Sequence, residues 1–291
     1  MDPSGACLGV CYADNQLYYS VNSPGEKSRL SHIGSIDYTF DIENAIITGS
    51  KNEFPAIKSA LDSIRQEYNC TSVKILSPAI EECWSIVPRA VFEDPAEREA
   101  HIQLLMHGVE RSEIQTTWHK VHKSGSRLML LRNNQSMMGF NYLLRSFGNT
   151  EYVSDIELAI DWQLHTRNSG SFLMIHCQNK YISATSFILG KLRGCTYIEF
   201  EHLTDLPYLW NLFSARLPWL RGIHDENFVF GHYSSEVAGL LNPYWRDHGE
   251  IQYFNMLDEL NVDAKEKTYG FKLGSAFPAI IMSLDIDTRN V

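Results

Sequence analysis

A chain of 291 residues is long enough for two globular units or one large sheet, and with 44% hydrophobic and 12% aromatic residues each half can bury a core of its own. That composition, with an ordinary charged fraction of 21%, excludes a disordered chain. The formal net charge of −10 argues against a nucleic-acid partner, because phosphate-backbone binders draw their affinity from clustered Lys and Arg, and the densest cationic stretch here only spreads Lys180, Lys191 and Arg193 over an apolar hairpin.

In chain order, Cys7–Tyr12 and Gln16–Val21 are apolar or aromatic runs around Ala13-Asp14-Asn15, a strand, turn and strand. A third strand is predicted near Leu30–Asp37. Phe54–Tyr68 places Ile57, Leu61 and Ile64 at helical spacing, and Val73–Leu76 reads as a buried strand. Cys83–Phe92 reads as a strand interrupted by Pro88. Asp94-Pro95 opens a helix that runs to about Met106 and closes near Gly108, with Asp94 as cap and Pro95 in the first turn. Strands follow at Glu113–Lys120 and Arg127–Leu131, then helices at Gln135–Ser146 and Ile156–His165. Thr166–Gly170 is the best linker in the chain.

The opening pattern then recurs. Phe172–Cys177, Tyr181–Leu189 and Cys195–Phe200 form a second meander, followed by a helix at Leu206–Leu217, a strand at Asn227–Phe230, a helix at Ser235–Arg246 and a strand at Ile251–Phe254. Ala276–Leu284 is apolar, its type undetermined by its pattern.

The six cysteines include no Cys-x-x-Cys pair and behave as small buried hydrophobes. Met1-Asp2-Pro3-Ser4 carries no positive segment ahead of an apolar stretch and no apolar run reaches the ~18 residues of a membrane span, so the expected compartment is the cytoplasm. Other chemistry-bearing residues have plain readings. His119 and His122 point to opposite faces of a strand and read as a solvated pair rather than a zinc site; His176 and Cys177 likewise face opposite ways. Asp155 and Glu157 suit a helix N-terminus, and Asp285-Ile286-Asp287 reads as a solvated tail. Leu206, Leu209, Trp210 and Phe213 share a core-facing helix stripe, while Tyr208, Trp219 and Tyr244-Trp245 form a docking patch only if exposed.

Two halves that each begin with a strand-turn-strand meander feeding helices resemble the duplicated ribonuclease-H-like lobes of the actin, sugar kinase and Hsp70 superfamily. Within it the layout is similar to the bacterial branch containing PilM and FtsA, and to an uncharacterised bacterial family of unknown function. The resemblance implies an α/β fold of two actin-like lobes, residues 1–168 and 169–291, with mixed sheets flanked by helices. It also implies a nucleotide cleft gripped by two hairpin turns and a Gly-rich turn, where bare backbone N–H groups approach the phosphates and a carboxylate orients the metal's water shell. The matching turns are Ala13-Asp14-Asn15-Gln16, Cys177-Gln178-Asn179-Lys180 and Gly231-His232-Tyr233-Ser234-Ser235, and Gly274-Ser275-Ala276-Phe277-Pro278-Ala279 resembles the small-residue helix that closes such folds.

Asp14, Asn15, Gln178, Asn179, Gly231, His232, Ser234 and Ser235 are therefore the residues that the resemblance assigns to the cleft. The first two turns lack the usual glycine, and His232 and Tyr233 replace glycines in the third. A turn altered in this way forgoes charge-assisted hydrogen bonds to phosphate, each worth about 1.5–3 kcal/mol. The reading is a non-enzymatic adaptor or assembly scaffold that acts through protein partners, without cofactor, catalytic residue or metal. The alternative is an ATP-binding protein with an altered cradle, Asp14 orienting magnesium and Gly231, Ser234 and Ser235 lying around the base.

Overall fold

The computed structural model describes residues 5–26, 28–77, 82–106, 108–121, 125–133, 142, 147–221, 224–245, 249–254, 257–260, 262–264 and 272–284. The expected helix at Gln135–Ser146 (Tyr142 aside), His122 and Asp285-Ile286-Asp287 lie outside them.

The chain opens with β1 (Ala6–Ala13), β2 (Gln16–Asn22) and β3 (Arg29–Asp37), an antiparallel meander. Its first turn uses Asp14 in the left-handed region (φ 59°), which a short polar side chain tolerates. A short helix that the sequence pattern did not announce, α1 (Ile42–Thr48), follows; Asp41 caps it by accepting from Asn44 N, and Gly49 (φ 62°) ends it. Next come α2 (Phe54–Glu67), whose buried stripe is Ile57, Leu61 and Ile64, and β4 (Cys70–Leu76), parallel to β1.

A small sheet follows, made of β5 (Glu82–Val87), β6 (Ile114–Lys120) and β7 (Arg127–Asn133), with α3 (Arg89–Glu93) and α4 (Pro95–Leu105) between its strands. The expectation of a strand through Phe92 is corrected here: Pro88 cannot donate to a ladder, and its fixed φ of −58° opens α3 instead. Asp94 caps α4 as expected, accepting from Ala96 N and Glu97 N.

The chain then returns to the first sheet as β8 (Thr150–Val153) and crosses on α5 (Asp155–Thr166) to the second meander, β9 (Phe172–Cys177), β10 (Tyr181–Ile188) and β11 (Lys191–Glu199). After α6 (Leu206–Arg216), strand β12 (Glu226–Gly231) runs parallel to β9; α7 (Ser234–Trp245) and β13 (Glu250–Tyr253) complete the second sheet. The last described elements are β14 (Asp263–Ala264) and α8 (Leu273–Ser283).

The large sheets run β14-β3-β2-β1-β4-β8 and β11-β10-β9-β12-β13. The chain's end thus crosses back: β14 pairs with Arg29–Leu30, and α8 packs on β1, β2 and β4 while also touching β12 and α5. Close approach of α8 needs Gly9 in the middle of β1, where any Cβ would press into the Ala279 carbonyl and the Ser283 amide.

Between the sheets, Trp162, Phe172, Phe228, Phe230, Phe254 and Phe277 form one aromatic pile, with Phe254 stacked on Phe277 at 4.2 Å and on Phe228 at 5.5 Å. Apolar residues of both large sheets, α5 and α8 share this core, so the fold is held at its middle by carbon packing. Outer cores lie under α1 and α2 on one side and under α6 and α7 on the other.

The aromatic docking patch does not form. Trp245 is buried edge-on to Trp210, Trp219 packs over Gly194, the Tyr244 hydroxyl accepts from Asn211 at 3.2 Å, and Tyr208 alone of the four stands in solvent.

The β10–β11 hairpin turns on Leu189 (φ 51°) and Gly190 (φ 67°), an arrangement that favours Asn at the first position; Leu189 is 73% exposed. Leu189→Asn is expected to raise stability by about 1 kcal/mol, by relieving a left-handed leucine. A urea midpoint that stays level or falls would count against that strain.

Candidate functional site

The first two turns meet tip to tip. The Asn179 amide donates from Nδ2 to Asp14 Oδ1 at 3.1 Å, linking residues 165 positions apart in sequence. Beneath them Gln178 is buried, its backbone N–H bonded to Tyr181 O and its Nε2 reaching Tyr12 O at 3.5 Å. Asp14 O in turn accepts from Ile42 N, which seats the start of α1 against the first turn. Asn15 points the other way, donating to Tyr38 O at 3.0 Å.

The third turn touches the second through the strands. Gly231, at φ 103°, faces Cys177 so closely that a Cβ would overlap the Cys177 carbonyl, and His232 N donates to that carbonyl at 3.0 Å. The His232 and Tyr233 rings, both half-buried, lie edge to face at 4.5 Å. Ser234, half-buried, and Ser235, exposed, begin α7. The structure therefore brings together Asp14, Gln178, Asn179, Gly231 and His232, with Ser234 and Ser235 following in chain and Asn15 turned away.

Four residues of this junction had no local signal as a group. Asp155, first residue of α5, is buried and binds His176 Nδ1 at 2.7 Å; His176 stacks on Phe230 at 4.9 Å, and its Nε2 lies 3.1 Å from Gln178 Nε2. Tyr12 is buried at the end of β1, its phenol held well above its ordinary pKa by burial and then by the Glu43 carboxylate. Glu43 itself, half-buried on α1, is pushed up to about 7 by desolvation and by its neighbour Asp41. Asp155 and His176 were visible in the sequence only as a helix-end acid and a strand residue; Tyr12 and Glu43 gave no sign.

Beside this junction a second buried polar group ties the small sheet to α5. Arg132 on β7 bonds Glu82 Oε2 at 3.2 Å and also Glu157 Oε2, while His119 Nε2 meets Glu157 Oε1. All four side chains are almost wholly buried. The reading of His119 as solvated is thus corrected: its face of β6 turns towards α5, and Glu157 supplies the charge that makes its burial tolerable. Glu157 also forms a capping box with Ser154, at the helix N-terminus where the sequence placed it. Burial alone would raise the Glu157 carboxyl, but Arg132 and then His119 outweigh it and hold it well below the carboxylate range. Glu82 gains less from the shared guanidinium, and burial lifts it to about 7.

Among the described residues no group of three or more His, Cys, Asp or Glu is arranged to hold a metal ion, and no helix is long and apolar enough to cross a membrane. The cysteines are free thiols, buried except for half-buried Cys83.

Two sheets of the same strand pattern joined at their middle, with turns converging above the junction, define the architecture: the chain has the actin-like ATPase fold. It is similar to a Bacteroides thetaiotaomicron protein with that fold and unknown function (14% identity, 90% of this chain and 97% of that one covered, TM-score 0.57). It is also similar to a chain of the PilM–PilN type IV pilus biogenesis complex (12% identity, 96% and 97% covered, TM-score 0.67). No protein-family model matches the sequence, and no curated protein matches it either.

Proposed function

We propose that the protein is a non-enzymatic adaptor or assembly platform of cytoplasmic location, two actin-like lobes meeting near residue 168, whose nucleotide turns have been turned over to holding the lobes together. The observation that carries this reading is the direct Asn179–Asp14 bond, 3.1 Å long, with Gln178 buried beneath it. In a phosphate cradle that space needs bare backbone N–H groups. Here side chains fill it, and the charges around it are mostly carboxylates, which repel a triphosphate. The likeness to a chain of the PilM–PilN complex adds a precedent for this fold within a protein assembly.

Thermal denaturation with and without ATP and magnesium tests the proposal. A ligand present at a hundred times its dissociation constant stabilises the native state by about 2.7 kcal/mol, so binding cannot be silent. No change in melting temperature is expected at millimolar ATP–magnesium. A clear rise that disappears in Asp14→Ala establishes the altered-cradle ATP reading instead.

A further inference from the structure

The small sheet is inserted between β4 and β8, and among the described residues no ladder joins it to either large sheet. Its hold on the rest of the chain is of two kinds. Leu128 and Leu130 sink into the central core, with Trp84 and Ile86 packed beside them. The polar hold is the buried cluster on α5, together with the Trp84 indole, which donates from Nε1 to Cys195 O on β11 at 3.1 Å.

The charges of that cluster do not balance by themselves. Glu82 and Glu157 bring two negative charges and Arg132 one positive, and these side chains are at most 4% exposed. Neutrality needs one more proton, on Glu82 or on His119. Within electrostatic reach of Glu82, burial raises the Tyr197 phenol and the Cys195 thiol of β11 and the Cys83 thiol of β5, so all three are uncharged and none supplies a counter-charge. Glu157 takes the His119 contact and Arg132 Nη2, which leaves Glu82 a single bond of 3.2 Å to Arg132 Nε. That unequal sharing puts the proton on Glu82, in keeping with the rise of its carboxyl to about 7 by burial. Loss of the proton leaves a net negative charge in a dry contact, and water reaches it only if the sheet parts from α5.

We propose that the small sheet is a proton-gated flap, seated on α5 and β11 while the Glu82–Arg132–Glu157–His119 cluster holds its proton and released more often once the proton is gone. Apolar packing of Leu128 and Leu130 keeps the seated state the major one, so the proton sets how often the flap opens. The device goes beyond the adaptor reading and stands or falls apart from it.

Hydrogen exchange of the Trp84 indole N–H in the full chain, its signal assigned from Trp84→Phe, tests the proposal. Protection relative to a free indole should fall about thirtyfold between pH 5.5 and pH 8, the ratio set by a carboxyl at about 7 when seated and 4.5 when released. Throughout, it should stay at least about tenfold below the protection of the central β9 amides, which open with the whole chain. Equal protection would mean that only global unfolding frees the indole, and the flap does not exist. In Glu82→Gln, which keeps the shape without the charge, protection should stay level over that range. A fall of the same size in this variant places the titrating group elsewhere, and level protection in the wild-type chain removes the gate; either result overturns the proposal. Should the variant not fold, carboxyl NMR of the wild-type chain decides: Glu82 should gain its charge between pH 5.5 and pH 8, and a carboxylate already ionised at pH 5.5 rules the gate out.

Discussion

Arg132→Met is expected to cost about 3–5 kcal/mol of stability, the usual penalty for leaving a buried ion without its partner. Two carboxylates, Glu82 and Glu157, share that guanidinium, and both side chains are at most 4% exposed. The two acids should respond in opposite ways to pH and to neutralisation. Glu157 is held below its ordinary value, so the stability it supplies is present at neutral pH and is lost as pH falls through the acid range. Glu82 is raised from 4.5 to about 7, so the folded state binds its proton more tightly than the unfolded chain does. The stability from that protonation is full below pH 4.5 and is lost as pH rises through about 7, a total of about 3 kcal/mol. Glu82→Gln should therefore be neutral or stabilising at pH 8 and lose that advantage at pH 5, whereas Glu157→Gln should destabilise at both. Urea titrations of the three variants at pH 5 and pH 8 read this directly. Equal losses for the two glutamines at pH 8 would show that the charges are not divided as described.

Gly9→Ala is expected to lower stability by about 3 kcal/mol or more, although it adds a single methyl group. Overpacking in a core typically costs about 1–3 kcal/mol because side chains can shift. Here the obstacle is the α8 backbone, the Ala279 carbonyl and Ser283 amide, so the helix has to move as a unit and disturb its packing on β2 and β12. Gly239→Ala is the matched control: it lies exposed in α7 with open space around it, and should gain about 0.4–1 kcal/mol by reducing the freedom of the unfolded chain. If both variants shift the urea midpoint by similar small amounts, α8 does not rest on β1 as tightly as described.

Elements with a strong local period were legible in the sequence. The two meanders, α2, α4, α5, α6 and α7 fall within a few residues of the expected places, because alternation or the 3.6-residue stripe is written into adjacent side chains. Short or fully apolar pieces escaped. Seven-residue α1 shows less than two turns of pattern, and α8 is buried over nearly its whole circumference, which erases the stripe that marks a surface helix. The two residues of β14 carry no pattern at all.

Of the site, the turn residues could be located because a hairpin tip is marked by its flanking strands. The partners that give the turns their chemistry could not, since Asp155 meets His176 across 21 residues and Arg132 meets Glu82 across 50. Each of those side chains has an ordinary local explanation, and only the packing of α5 against both neighbouring sheets shows that their charges answer one another.

The return of α8 to the opening strands has a bearing on how the protein is made. During synthesis the first sheet emerges early, yet the cover for its Gly9 face is translated more than 250 residues later. Until α8 follows, the strands around Gly9 carry an uncovered apolar surface, and the interval between the two is when a holding chaperone is most needed.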